Sequence, residues 1–122
     1  MAQQASMAFA LPGGEQSTPS RNRPIDLVHL TRETFGNRAL ETEILCLFSR
    51  QTSSIADRLA HANPDDRVRL ARSLKGSARM IGAFGVADMA EEIEFAPSDS
   101  NKVKELRLII DDVRDYIAAI TR

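Results

Sequence analysis

Near the end of the chain, Val103, Leu106, Ile110, Val113, Ile117 and Ile120 step by 3, 4, 3, 4 and 3 residues. An α-helix buries that spacing as one stripe, whereas a strand scatters it over both faces. A single stripe needs partners, and the chain supplies them. Over residues 37–63, Leu40, Ile44, Leu47, Phe48, Ile55 and Leu59 recur at helical steps behind a capping Asn37. Asn63 caps the next helix, with Pro64 at its first position and Asp65 and Asp66 in the turn where the helix dipole favours negative charge; that helix runs to Ile81 or Gly82. Residues 84–95 turn Val86, Met89, Ala90 and Ile93 inwards and Asp88, Glu91, Glu92 and Glu94 to water. Before these, residues 24–36 form a short helix whose Ile25, Leu27, Leu30 and Phe35 pack together, closed by Gly36. The pattern predicts an all-α fold, an antiparallel four-helix bundle with a short N-terminal lid helix, and neither strands nor an internal repeat. This domain covers residues 24–122, and residues 1–23, mixing Gln, Ser, Gly, Pro and Arg without a period, are expected to be a flexible tail.

Composition narrows the function classes. A chain of 122 residues has room for one core. Aromatic residues at 5% and the lack of Trp argue against a base-stacking surface, and a net charge of -1 gives no global attraction to nucleic acid or anionic lipid. Any electrostatic recognition must come from a local patch. Cys46 is the only cysteine, which excludes an internal disulfide and multi-cysteine metal sites and fits a small apolar role. The N-terminus has no basic segment, and its apolar run from Met7 to Leu11 is too short for a signal peptide or membrane span, so a cytoplasmic location without membrane contact is expected.

The local patch lies on the helix over residues 64–82. At roughly 100° per residue, Leu70, Ala71, Leu74, Ala78 and Ile81 fall on one side as its core stripe. Arg69, Arg72, Lys75, Gly76 and Arg79 share the other side, because separations of three, four and seven keep to one face. A glycine inside a helix costs about 0.5–1 kcal/mol relative to alanine, so Gly76 invites a reason. Either another molecule approaches the backbone there, or Gly76 packs against the lid, or it marks a weak point. For the cations, a plain solvated face is the bland alternative.

The stretch from Ala71 to Ala83, ARSLKGSARMIGA, resembles the central motif of the histidine-containing phosphotransfer (HPt) domains of bacterial and plant phosphorelays, A-H-x-L-K-G-[SA]-A-x-x-[IVL]-G-A. Every motif position matches except the second. The resemblance extends over about residues 24–121, through IDLVHLTRETFGNRALETEILCLF before the motif and VADMAEEIE after it. It implies a docking and shuttle protein, not a classical enzyme: an imidazole takes a phosphoryl group from an aspartate on a receiver domain, which supplies the metal ion, and passes it on. It also implies that Lys75 offsets phosphoryl charge and that Gly76 leaves space for the receiver's acidic pocket. Arg72 stands where the family has its phosphoacceptor histidine. A guanidinium stays protonated and offers no free lone pair on nitrogen, so the transfer step is expected to be lost, in a natural pseudo-HPt or in a substituted form of an active one. The other histidines, His29 in the lid and His61 at the end of the preceding helix, read as surface or boundary residues.

The expected partner is the receiver domain of a response regulator or hybrid histidine kinase, bound through Arg69, Arg72, Lys75, Gly76 and Arg79 by a monomeric chain that needs no cofactor and no metal. Two other classes compete. One is nucleic-acid binding through Arg67, Arg69, Arg72, Lys75 and Arg79, with SARMIGAFGVADMAEEIE as a helix-turn-helix; Asp88, Glu91, Glu92 and Glu94 on the groove-entering helix would repel phosphates, so no nucleic-acid partner is expected. The other is a helical scaffold or homodimerisation module in which the patch has no chemistry. No nucleotide-binding glycine loop, HExxH motif or acid–base pair points to an enzyme.

Overall fold

Four of the five helices start where a side chain satisfies a free backbone N–H group. The computed structural model describes residues 23–122, so the tail expected over residues 1–23 lies, but for Arg23, outside the described residues. Asp26 caps α1 (Leu27–Glu33), Asn37 caps α2 (Arg38–His61), Asn63 caps α3 (Pro64–Ile81) and Asp99 caps α5 (Ser100–Ile120), each accepting a bond from a backbone N–H inside the first turn. Helix α4 (Phe84–Phe95) has no side-chain cap and follows Gly82, whose φ of 89° ends α3 in the left-handed conformation. There Ala83 N donates to Ala78 O at 2.8 Å. No strand occurs among the described residues.

The four long helices close a ring: α2 meets α3, α3 meets α4, α4 meets α5, and α5 returns to α2. Leu59, Leu74, Ile93, Leu106 and Ile110 fill its centre. Helices α3 and α4 pack most extensively, since buried Ala71, Ala78, Ala87 and Ala90 let their backbones approach closely. The lid α1 lies on the C-terminal end of α3, where Asp26 N donates to Gly82 O at 2.9 Å and His29 Nε2 sits 3.1 Å from Met80 O. A Cβ at Gly82 would stand 2.8 Å from Asp26 O, so this junction requires glycine for space as well as for φ. Ile25 and Leu30 plug the bundle beneath the lid.

Several inward positions differ from the spacing. In α2, Leu45, Phe48, Thr52, Ile55, Ala56 and Leu59 are buried, while Leu40 and Leu47 are exposed and Ile44 is half-buried. Leu40 and Leu47, seven residues apart, share a line roughly a third of a turn from the buried one, so the three-and-four pattern held two adjacent stripes. Thr52 takes a core place because its hydroxyl donates to Ser49 O at 3.1 Å. Phe35 does not join the lid's apolar set: at φ 55° it swings out of the turn and is 95% exposed. Met89 is half-buried, and Ile120, in the last turn of α5, is exposed.

Arg67 overturns an expectation more sharply. Placed with the basic patch in the nucleic-acid reading, it is only 9% exposed. Its Nε donates to Leu59 O and its NH1 to Pro97 O, both at 3.0 Å, tying the end of α2 and the α4–α5 connection to the start of α3.

Candidate functional site

The outward face of α3 carries the expected row. Arg69, Arg72 and Arg79 are exposed, Lys75 is half-buried, and Gly76 lies open among them. A Cβ built on Gly76 would meet nothing within 4 Å, which removes the alternative that this glycine packs against the lid. Gly76→Ala should therefore relieve the helix, raising stability by about 0.5–1 kcal/mol in urea unfolding. A loss of stability in that experiment would mean that the helix surface there is not open.

The row is not a set of free cations. Arg69 pairs with Asp66 one turn before it. The other three reach α4: Arg72 Nε lies 3.1 Å from Glu94 Oε2, Lys75 Nζ 2.5 Å from Glu94 Oε1 and 3.7 Å from Glu91 Oε1, and Arg79 NH2 2.8 Å from Glu91 Oε1. The Lys75–Glu94 contact is an ion pair by distance without the alignment of a hydrogen bond at Oε1. The site therefore couples Arg72, Lys75 and Arg79 through two carboxylates, with Arg69 standing apart on its own partner. Glu91 and Glu94, expected on a solvated face, are half-buried members of it; Glu94 is only 11% exposed. Glu92 does face outwards and pairs with Lys102 of α5 at 2.8 Å.

The Glu94 carboxyl is held below its ordinary range, mainly by Lys75, with burial opposing the shift and Arg72 adding to it. A carboxyl whose folded pKa is depressed contributes stability that is fully present above its unfolded value and lost as pH falls through the folded one. Glu94→Gln should therefore cost stability at pH 7, with the difference from the parent shrinking below about pH 4. Denaturant titrations at several pH values check this, and a difference that stayed constant to pH 2 would contradict the assignment.

The two histidines lie off the row, although the groove beside His61 reaches Arg69. His29 is tied to Met80 O and stands edge-on to Phe84, with ring centroids 5.2 Å apart. His61 is exposed at the end of α2 and lines a groove of about 940 Å³ with Arg58, Asp66, Arg69 and Ser73. Among the described residues no group of three or more His, Cys, Asp or Glu is placed to hold a metal ion, and no helix is long and apolar enough to cross a membrane. Sequence spacing located Arg72, Lys75, Gly76 and Arg79 but missed Glu94 as their partner. The only signal for it is that two antiparallel helices joined by a tight turn at Gly82 bring residues near 72 and 94 to the same level.

Comparison with known proteins places this geometry. No curated protein and no solved structure matches the chain. The family model of the Hpt domain matches residues 43–120, from the first turns of α2 to the last residue of α5. That span is more than half of the chain and includes the whole α3–α4 ladder, so the chain belongs to the Hpt-domain family, the helical phosphotransfer and docking modules of phosphorelay signalling.

Proposed function

We propose that this chain is a receiver-docking member of a phosphorelay that does not itself accept the phosphoryl group. The observation that carries the reading is Arg72, which by the motif resemblance stands where the family has its phosphoacceptor: it lies on the outward face of α3, its side chain is 67% exposed, and its Nε is engaged by Glu94. A guanidinium in that setting is a charged hydrogen-bond donor and not a nucleophile. Lys75 and open Gly76 keep the rest of the surface suited to an acidic cleft. Such a module binds a receiver without discharging it, and so competes with, or scaffolds, an active relay. The nucleic-acid reading loses support, because Arg67 is buried and the other four cations of its patch are paired with carboxylates.

The test is binding of the full chain to each receiver domain of its genome by calorimetry. At least one receiver should bind, and more weakly as salt rises, with Arg79→Glu weakening it by about tenfold or more. Binding to none of them would end the docking reading.

A further inference from the structure

Four cations on the outward face of α3 share three carboxylates. Asp66 takes Arg69, Glu91 takes Arg79 with Lys75 farther off at 3.7 Å, and Glu94 is divided between Lys75 and Arg72. The closer half of that division, 2.5 Å against 3.1 Å, belongs to Lys75. The four cations thus exceed the three carboxylates they pair with by one positive charge, and Arg72 is the exposed cation that holds the longer half of Glu94. Its contact with Glu94 runs through Nε. The NH1 and NH2 end is a planar fork whose spacing matches two oxygens of a phosphoryl group. Glu94, nearly buried and held by Lys75, fixes the guanidinium in advance, which lowers the entropy lost when the fork closes on a ligand. One turn on, Gly76 leaves the flank of that fork open, with nothing within 4 Å of where a Cβ would stand.

We infer that Arg72 is a phosphoryl-reading site: its fork takes the terminal oxygens of the aspartyl phosphate on a phosphorylated receiver, so the chain prefers that receiver form over the unphosphorylated one. The inference rests on the docking reading and names the state of the partner. A bare carboxylate in the receiver's cleft can also meet the fork with two oxygens, but it brings one negative charge where a phosphoryl group brings about two. A phosphoryl dianion supplies two oxygens to the fork while Glu94 keeps Nε, and the surplus charge of the ladder offsets part of its own. No bond is made or broken; the acyl phosphate is bound and left in place.

The experiment measures affinity of the full chain for each receiver domain of its genome with and without beryllofluoride, a stable stand-in for the aspartyl phosphate. For a receiver that docks, the beryllofluoride form should bind about tenfold tighter or more. Arg72→Ala should bring the affinities of the two forms to within about twofold of each other, and Arg72→Lys should lose most of the preference because an ammonium offers no fork. Millimolar inorganic phosphate at fixed ionic strength should not displace the receiver. Equal affinity for the two forms, the same preference in Arg72→Ala, or displacement by free phosphate would each overturn the inference and leave the docking reading standing. Binding to neither form would overturn both.

Discussion

Arg72→His is expected to accept a phosphoryl group where the parent is expected not to. Incubated with a phosphorylated receiver that the chain binds, the histidine form should take up acid-labile label. Its rate should exceed that of the parent by on the order of a thousandfold or more, because the parent has no nucleophile at this position. The step needs an imidazole lone pair to attack phosphorus while the P–O bond to the receiver aspartate breaks and its carboxylate leaves. The structure already supplies what surrounds such a group: an exposed place on α3, Lys75 one turn away to offset phosphoryl charge, and no side chain at Gly76 to block the cleft. Glu94, freed from Arg72, would face the new imidazole and favour its protonated state, so uptake should rise with pH through the histidine range. Label on the parent at His29 or His61 would contradict the assignment. Geometry argues against both: His29 Nε2 is engaged with Met80 O beneath the lid. His61 precedes the start of α3, and Arg72 stands roughly 12 Å along that helix from Pro64 by rise alone.

The second large effect concerns stability. Arg67→Met should cost about 3 kcal/mol and lower Tm by on the order of 10–20 °C. Methionine fills much of the same volume, so the loss reports the two bonds to Leu59 O and Pro97 O and not a cavity. Those carbonyls belong to different connections, one at the end of α2 and one between α4 and α5, and a charged donor to each is worth more than a neutral one. With Arg67 only 9% exposed, the two carbonyls lose their donor at a place that water reaches poorly. Arg67→Lys should restore only part of the loss, since one ammonium cannot reproduce the diverging Nε and NH1 donors. A cost below about 1 kcal/mol in chemical denaturation would show that Arg67 is not the tie between these connections.

Arg67 also marks where sequence reasoning stops. By spacing it falls near the core stripe of α3, but its charge placed it with the exposed patch; only the approach of Leu59 and Pro97, 8 and 30 residues away, gives a buried guanidinium its acceptors. The helices themselves were legible because caps and periodicity are local: Asn37, Asn63 and Gly82 begin or end elements where the sequence puts them. The outward row of Arg69, Arg72, Lys75, Gly76 and Arg79 was legible for the same reason. Its pairing with Glu91 and Glu94 was not, because a carboxylate on an amphipathic helix reads as solvated until the register of two helices is known. Leu47 and Phe35 failed differently: an apolar residue at a helical step, or beside a glycine turn, does not announce which of two neighbouring lines the bundle will cover.

The most direct test of the docking surface is to titrate an isotopically labelled chain with a bound receiver and follow the backbone amides. The account predicts that the perturbed signals centre on Arg72, Lys75, Gly76 and Arg79 of α3, extend to Glu91 and Glu94 on α4, and leave the outer face of α5 unchanged. Perturbations centred on α5, with the α3 row silent, would contradict it.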